Sequence, residues 1–300
     1  MDNPAPLYDC VIVGGGPGGL SAAIYLARFR RSVRLIDDGH SRAAQIPLSR
    51  NTPGFPDGIA GTELLQRLRA QAARFGVQPA AGTVTRLEKL ENGEFLTRFG
   101  GAALRSKTLM LATGLADVEP DMPEIRQAIR LGRIRYCPIC DGYEVAGKKV
   151  AVIGHGSHCV REAAFIRHFT DDLTILTLGR PLELSPAQRA LLDERGIRVV
   201  DEPVAEIALD GDQIEALRMR SGVSHRFDTI YSMLGTRVRS ELAKALGARC
   251  DADANLEVDA HLQTTIAGLY AVGDVASGLN QISVATGHAA IAATAIHNRL

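Results

Sequence analysis

Residues 8–28 read YDCVIVGGGPGGLSAAIYLAR, and this stretch decides the fold of the first part of the chain. A short apolar strand runs into a glycine-rich turn, and the turn opens a helix of small residues that can pack closely on a sheet. Gly14, Gly16 and Gly19 occupy the GxGxxG positions, which allow a tight turn, the approach of a pyrophosphate and close helix packing. A second short strand ends at Asp37, where a carboxylate can accept hydrogen bonds from a ribose hydroxyl. The pattern predicts a dinucleotide-binding βαβ unit.

A second βαβ pattern follows in the middle of the chain. Its glycine turn keeps Gly154 and Gly156 but has Cys159 in the third position. We expect a helix over residues 160–169 and a strand over residues 173–177, with no acidic residue directly after that strand. The sequence therefore predicts a second nucleotide-type fold and leaves open whether a nucleotide binds there.

A cysteine pair lies just ahead of this second unit, where residues 135–144 read RYCPICDGYE. The spacing of Cys137 and Cys140 places both sulfurs on one face of a first helical turn, where they can form a disulfide and where the helix N-terminus favours the thiolate. Asp141 follows directly and can carry the proton that thiol exchange must move. Half of a zinc site and a pair of core thiols are the alternative interpretations, but no second ligand pair at zinc spacing is present.

Composition excludes several classes of function. The 300 residues carry 34 Lys and Arg and 34 Asp and Glu, so no basic field favours nucleic acid or an anionic membrane. The first residues lack a signal-peptide pattern, and no apolar run approaches the length of a membrane span. Five cysteines, an odd number not arranged as a framework, indicate a reducing cytoplasm. The length is sufficient for two domains with hydrophobic cores.

Other stretches complete the organisation of the chain. Residues 84–99 predict short antiparallel strands, and residues 112–114 follow a buried strand with small side chains, so their backbone could approach a ligand. Residues 115–134 form a connection with a short helix over residues 124–130. Near the C-terminus, Asp274 follows a strand, where it could reach a ribitol hydroxyl or pyrophosphate-bound water, or act as an ordinary helix cap.

These motifs together resemble the low-molecular-weight thioredoxin reductases. The chain has them in the order seen in that family: residues 14–19, 51–56, 112–114, 137–142 and 273–275. The resemblance covers almost the whole chain. It implies an α/β fold of two Rossmann-like three-layer dinucleotide-binding domains, the second inserted into the first. The FAD-binding domain would comprise residues 1–117 and 246–300, and the inserted NAD(P)-type domain with the CxxC would comprise residues 118–245.

The resemblance also implies a set of cofactor-binding residues. The FAD pyrophosphate would be held by the first glycine turn: Gly14, Gly15, Gly16, Pro17, Gly18 and Gly19. Asp37 would contact the adenosine ribose, Asn51 would lie by the flavin, and Asp274 would lie on the ribitol side. Further positions carried over from the family are Val84, Ala112, Thr113, Gly114, Gln281 and Ile282, of which the last two would lie at the isoalloxazine.

For the chemistry, the resemblance implies that Cys137 attacks a partner disulfide, that Cys140 faces the flavin and that Asp141 protonates the departing thiolate. A thioredoxin-like protein or a small dithiol or disulfide would be the partner, and the chain would form a homodimer. No metal site is expected.

The sequence departs from the family where NADPH would bind. A histidine and two arginines usually grip the 2′-phosphate, whereas residues 177–180 read TLGR and leave one cation, Arg180. Each missing charge-assisted hydrogen bond forfeits roughly 1.5–3 kcal/mol, so strong NADPH preference is not expected. The donor could be NADH, NADPH used poorly, or another carrier such as a ferredoxin. The chain could instead be a dithiol oxidase using oxygen, although Asp141 favours the reductase direction, or a non-catalytic FAD-binding redox sensor.

Overall fold

The chain forms two compact units in a computed structural model. The structure describes residues 6–120, 128–129, 131, 133–210 and 213–300. The first unit comprises Met1–Leu48, Thr52–Ala116 and Arg237–Leu300, and the second comprises Ser49–Asn51 and Asp117–Thr236. The main part of the second unit, Asp117–Thr236, is therefore inserted between two parts of the first.

Helices and strands alternate over residues 7–81 and 150–200, whereas strands follow one another over residues 84–117 and 204–238. The strands are β1 (Leu7–Val13), β2 (Val33–Asp37), β3 (Ala80–Ala81), β4 (Val84–Lys89), β5 (Phe95–Phe99), β6 (Ala102–Leu111), β7 (Leu115–Asp117), β8 (Ile134–Arg135), β9 (Val150–Gly154), β10 (Leu173–Leu176), β11 (Arg198–Val200), β12 (Val204–Asp210), β13 (Gln213–Met219), β14 (Ser224–His225), β15 (Thr229–Met233), β16 (Thr236–Val238) and β17 (Leu269–Ala271). The α-helices are α1 (Pro17–Arg28), α2 (Gly61–Arg74), α3 (Pro138–Asp141), α4 (Gly156–Ile166), α5 (Pro186–Glu194), α6 (Glu241–Lys244) and α7 (Ile282–Arg299). Short 3₁₀ turns cover Arg42–Gln45, Gly142–Val145 and Gly273–Val275.

The sheet of the first unit has the strand order β3-β2-β1-β6-β5-β4. Strand β6 is long enough to have two neighbours along one edge, because β5 pairs with its first half and β17 with its last three residues. Strands β3, β2, β1, β6 and β17 run parallel, so their carboxyl ends lie at one edge of the sheet. The first glycine turn follows β1 at this edge.

Strand β1 separates two hydrophobic cores because its side chains alternate between the faces of the sheet. Cys10 and Ile12 pack with α1 and α7 on one face, and Val11 and Val13 pack with residues of β4 and β5 on the other. The helical face is rich in buried alanines, which let both helices lie close to the sheet: Ala22, Ala23, Ala289, Ala292 and Ala293. The three layers are thus the helices, the parallel strands, and the antiparallel strands β4 and β5 that extend the sheet from the first half of β6.

The second unit repeats this layering around an all-parallel sheet of order β11-β10-β9-β15-β8. Helix α4 packs on one face, where its buried residues include Val160 and Ile166. The antiparallel strands β12, β13 and β14 cover the other face, where their buried residues include Ile207 and Leu217. The active-site cysteines and α3 come between β8 and β9 in sequence.

The predicted fold class, two Rossmann-like three-layer units with the second inserted into the first, is confirmed. The helix expected over residues 160–169 begins earlier, at Gly156, because the glycine turn opens directly into it, as it does in the first unit. Residues 124–127 and 130 of the helix predicted over 124–130 lie outside the described residues. Among the described residues, no helix is long and apolar enough to cross a membrane.

Candidate active site

Cys137 and Cys140 form a disulfide at the start of α3. Cys137 is the N-cap of this helix, and the Cys140 amide donates hydrogen bonds to the Cys137 carbonyl oxygen at 3.0 Å and to its sulfur at 3.2 Å. Pro138 is buried below the pair, whereas Ile139 between the cysteines is 47% exposed. The disulfide therefore lies in a short helical turn with one side open to solvent.

A close contact holds the turn after the cysteines. Gly142 lies against the ring of Phe169, where an added Cβ would come within 2.8 Å of the ring. Val145, at the end of the same turn, is buried in the core of the second unit. Because both residues pack inward, Asp141 is held at a defined position between the disulfide and the sheet, while Tyr143 beside it is 82% exposed.

Two residues of the sheet bind the carboxylate of Asp141. The hydroxyl of Tyr231 donates to Asp141 Oδ1 at 2.6 Å, and Arg135 Nη1 lies 2.8 Å from Asp141 Oδ2. Tyr231 and Arg135 are register partners in the parallel strands β15 and β8, so their side chains leave the same face of the sheet. The sheet register thus brings a neutral and a charged donor to one carboxylate.

The environment of Asp141 favours its protonated form. Burial raises its pKa above the ordinary value, although the Arg135 charge and the hydrogen bonds from Tyr231 and Arg135 oppose this rise. Glu144 raises the pKa slightly further by charge repulsion. Burial, followed by the neighbouring Asp141 charge, also raises the pKa of Tyr231, so the phenol remains a neutral hydrogen-bond donor. A carboxyl group with a raised pKa beside a disulfide can act as a proton donor.

In the first unit, the glycine turn is shaped for a phosphate. Gly14 has φ +107°, and a Cβ there would lie 2.3 Å from the Ala112 oxygen. A Cβ on Gly19 would lie 1.9 Å from the Gly14 oxygen. Gly16 caps α1 without a side chain, so no capping side chain covers the amides of the first helical turn. Helix-start amides bind anions, and the turn fits the pyrophosphate of a dinucleotide.

Asp37 lies directly beside this turn. Its Oδ1 accepts hydrogen bonds from the Gly15 amide at 3.1 Å and the Gly39 amide at 3.2 Å, and its Oδ2 lies 3.3 Å from Arg69 Nη2. Asp37 is buried. The structure therefore brings together the glycine turn, Asp37 and Ala112, three parts of the predicted cofactor site.

The other predicted cofactor residues of the first unit follow its strands. Thr113 Oγ1 donates to the Arg239 oxygen at 2.7 Å, and Gly114 comes next, three residues after the end of β6. Asp274 lies in the 3₁₀ turn after β17, 3.5 Å from Arg42 Nη1. Gly18 of α1 faces Val272, with 3.4 Å between an added Cβ and the valine methyl group. The segment before Asp274 thus reaches the glycine turn.

Four predicted cofactor residues lie outside the contacts described so far. Val84 is buried in the core with Phe95, so its side chain packs within the protein. Asn51 belongs to the second unit by its contacts, and its side-chain amide donates to the Ile139 oxygen at 3.4 Å. Gln281 is the N-cap of α7 and Ile282 its first residue.

A cavity of about 540 Å³ in the first unit begins at this helix start. It lies between α2, the 52–55 loop and the first turns of α7, and its lining is mainly apolar: Thr52, Pro53, Phe55, Leu64, Arg67, Leu68, Gln71, Ile282, Ser283 and Thr286. The volume is sufficient for a small amphipathic molecule.

In the second glycine turn, one side chain enters the contact between the turn and the helix. A Cβ on Gly154 would lie 2.9 Å from the Cys159 sulfur, which takes the space that the third glycine leaves in the first unit. At the end of β10, the Thr177 hydroxyl donates to the exposed Asp201 carboxylate. A carboxylate near this strand end repels a 2′-phosphate.

Sequence reasoning missed three of these residues: Arg135, Tyr231 and Asp201. Arg135 belongs to the quoted CxxC stretch and could have been suspected from its charge near Asp141. Tyr231 and Asp201 carry no local signal, because Tyr231 lies 90 residues from its partner and Asp201 24 residues from Thr177.

The two units and the site define a disulfide oxidoreductase of the dinucleotide-binding α/β class. In one unit the glycine turn fits a dinucleotide, and in the other a carboxyl group adjoins the disulfide. The chain belongs to the pyridine nucleotide-disulphide oxidoreductase family, whose model matches residues 8–289.

Individual relatives support this assignment. Thioredoxin reductase of Streptomyces coelicolor is 30% identical over 280 residues, which cover 89% of this chain and 85% of that protein. The crystal structure of HlmI has a TM-score of 0.90 and 30% identity, covering 97% of this chain and 92% of that chain. Thioredoxin reductase from Streptococcus pyogenes MGAS5005 has a TM-score of 0.88 and 26% identity, covering 97% of each chain. The predicted resemblance to the low-molecular-weight thioredoxin reductases is confirmed.

Proposed function

We propose that this chain is an FAD-dependent, thioredoxin-reductase-like enzyme that passes electrons between flavin and a partner disulfide through Cys137 and Cys140. The observation that carries the proposal is the disulfide with the half-buried Asp141 carboxyl directly after it. A structural disulfide needs no adjacent acid of raised pKa, whereas thiol exchange needs a proton donor.

The exchange runs in two displacements. The Cys137 thiolate attacks one sulfur of the partner disulfide, that bond breaks, and the departing partner thiolate takes a proton from Asp141. The Cys140 thiolate then attacks the Cys137 sulfur, the Cys137–Cys140 bond re-forms, and the second partner sulfur leaves and takes up a proton. Two electrons pass from the cysteine pair to the partner, whose disulfide becomes a dithiol.

FAD, when bound, supplies the electrons that return the cysteine pair to its dithiol form. Gly14–Gly19 would hold the pyrophosphate and Asp37 the adenosine ribose, with Asp274 towards the ribitol and Gln281 and Ile282 at the ring. The backbone of Ala112, Thr113 and Gly114, together with Val84 and Asn51, would complete the site. We place the FAD-binding domain at residues 1–117 and 246–300 and the inserted domain at residues 118–245.

Pyridine nucleotide use is characteristic of the family, but we propose that NADPH is a poor donor here. Leu178 and Gly179 stand where cations would grip a 2′-phosphate, and the Asp201 carboxylate adjoins Thr177.

A thioredoxin-like protein or a small dithiol or disulfide is the partner we propose, because thioredoxin reductases are among the relatives. A homodimer is proposed on the same ground.

An anaerobic titration of the yellow protein tests the function. NADPH, NADH and a dithiol such as reduced thioredoxin are added separately, and flavin absorbance is followed. Bleaching by the dithiol supports electron passage through the cysteines, and a Cys140→Ser variant should lose it. Bleaching by NADPH at catalytic speed would contradict the weak NADPH preference. If the protein retains no flavin, or no addition bleaches it, the proposed function is wrong.

A further inference from the structure

Tyr231 is fully buried although its side chain ends in a polar hydroxyl. It is 0% exposed, and its ring packs in the core of the second unit with Val145 and Val152. Its hydroxyl leaves this core towards Asp141, 2.6 Å from Oδ1 and 3.3 Å from the Asp141 main-chain oxygen. The phenol therefore has two oxygens of the same residue within hydrogen-bond distance.

The two partners of Asp141 differ in what they can accept. Arg135 has only donors, so it satisfies the ionised carboxylate and offers nothing to a carboxylic acid proton. A tyrosine hydroxyl can donate or accept. When Asp141 is ionised, Tyr231 donates to Oδ1. When Asp141 is protonated, the hydroxyl can donate to the main-chain oxygen and accept the proton of the acid, with its oxygen in the same place.

We propose that Tyr231 is the positioning residue of the exchange reaction, holding Asp141 in one orientation in both its ionised and its protonated form. Asp141 gives up a proton and must regain one in every cycle, and a carboxyl group that turned away after losing its proton would be slow to reload. Arg135 fixes the other oxygen, so the side chain cannot rotate when Oδ1 changes its protonation. This inference rests on the proposed disulfide exchange.

The hydroxyl can be removed without removing the ring. Tyr231→Phe keeps the packing in the core and deletes only the hydrogen bonds of the hydroxyl, to Asp141 and to Arg135. Tyr270→Phe in the first unit is a matched control, because Tyr270 is also buried and its hydroxyl is also hydrogen-bonded, to Arg299. Thermal unfolding shows whether both variants fold. Should Tyr231→Phe fail to fold, fluorotyrosines at position 231 keep the ring and grade the acidity of the hydroxyl.

The test is the oxidation of the pre-reduced holoenzyme by small disulfides in a single turnover. The reaction is quenched with acid, and the Cys137 and Cys140 thiols are counted by alkylation. With 2-hydroxyethyl disulfide, the leaving thiolate is basic and needs a proton. With Ellman's reagent, the leaving aromatic thiolate is weakly basic and departs without one. General acid catalysis matters only for the first.

For Tyr231→Phe, we expect at least about a tenfold loss of rate with 2-hydroxyethyl disulfide and less than about twofold with Ellman's reagent, since acid catalysis contributes roughly 10²–10⁴. A purely structural role would slow both reactions alike. Equal rates for Tyr231→Phe and the wild type with 2-hydroxyethyl disulfide would overturn the inference and leave the proposed function intact. A wild-type enzyme that reacts with neither disulfide would overturn the function itself.

The pH dependence provides a second measurement. The charged and titratable groups facing Asp141 are Arg135, Tyr231 and Glu144. The acid form of Asp141 is required, so the rate falls as pH rises through its pKa, and Asp141→Asn should lack this fall. The charge-assisted hydrogen bond that Tyr231 donates to ionised Asp141 is stronger than its hydrogen bond with the protonated form. Loss of the hydroxyl therefore raises the pKa of Asp141, and Tyr231→Phe should move the fall in rate to higher pH. An unmoved fall would contradict the inference.

Discussion

The two glycine turns of this chain share a strand–turn–helix plan but differ at the point of closest contact. In the first, Gly19 lies so close to Gly14 that an added Cβ would be 1.9 Å from its oxygen. In the second, the Cys159 side chain occupies that position against Gly154. In the first turn the helix packs directly on the backbone of Gly14, whereas in the second the Cys159 side chain stands between helix and turn, and Gly156 still faces open space. The same fold can thus pack its helix on the glycine turn in two ways, through backbone alone or through a side chain.

The acidic residues beside the turns differ as well. Asp37, the last residue of β2, accepts a hydrogen bond from the Gly15 amide of the first turn. At the end of β10, Thr177 donates to Asp201, which directly follows the neighbouring strand β11. Under the proposed function, Asp37 would accept hydrogen bonds from a ribose hydroxyl, and Asp201 would repel the 2′-phosphate of NADPH. The comparison therefore predicts that stability and flavin binding depend strongly on residues of the first turn and weakly on residues of the second.

The largest effect is expected from alanine in the first turn. Gly14→Ala combines φ +107° with a Cβ 2.3 Å from the Ala112 oxygen and should destabilise the protein by about 3 kcal/mol or more and release the flavin. Gly156→Ala also has a positive φ, of +71°, but faces open space and should cost only about 1–2 kcal/mol. Thermal unfolding and flavin content measure both. Equal costs would show that crowding does not distinguish the turns.

Asp37→Asn is expected to weaken FAD binding by about tenfold to a hundredfold, because hydrogen bonds to a charged acceptor contribute roughly 1.5–3 kcal/mol. Asp201→Asn serves as the control and should leave flavin binding unchanged. Flavin release during dilution or filtration gives the two dissociation constants. If the two variants lost flavin alike, the assignment of Asp37 to the cofactor would be wrong.

A smaller effect is expected from restoring a phosphate grip in the second unit. Leu178→Arg with Asp201→Asn replaces an apolar residue by a cation and removes the nearby carboxylate. The ratio of the flavin reduction rate with NADPH to that with NADH should rise about tenfold, since one charge-assisted contact is added. Stopped-flow flavin absorbance measures the ratio. Arg180→Ala, which removes the remaining cation, should change it in the opposite direction.

The smallest effect is expected at the two buried thiols, Cys10 in the core of the first unit and Cys159 in the core of the second. Burial raises the pKa of Cys10 and of Cys159 to about 12, so at pH 8 only about one thiol in ten thousand is ionised. Iodoacetamide should modify the partly exposed Cys250 and leave these two unmodified in the folded, oxidised protein. Mass spectrometry locates the label. Modification of Cys159 at the rate of Cys250 would show that the filled second turn opens readily.

Much of the fold could be predicted because its signals are local. A strand, a glycine turn and a helix of small residues are adjacent in both βαβ units, and each follows from backbone sterics and side-chain periodicity within about thirty residues. The start of α4 at Gly156 was missed because the altered turn hides the helix start. The cysteine pair and Asp141 could also be predicted, since all three share one helical turn.

The sequence by itself determined the two dinucleotide-binding folds, the cysteine pair and the family. Residue spacing sets which side chains share a turn, and the order of the motifs along the chain is that of the family. Only the tertiary structure decided how Asp141 is held. Tyr231 and Arg135 meet it because two parallel strands far apart in the chain pair in one register. The tertiary structure likewise placed Asp201 beside Thr177. Such contacts depend on the alignment of neighbouring strands, which the packing of the whole sheet sets and no local pattern encodes.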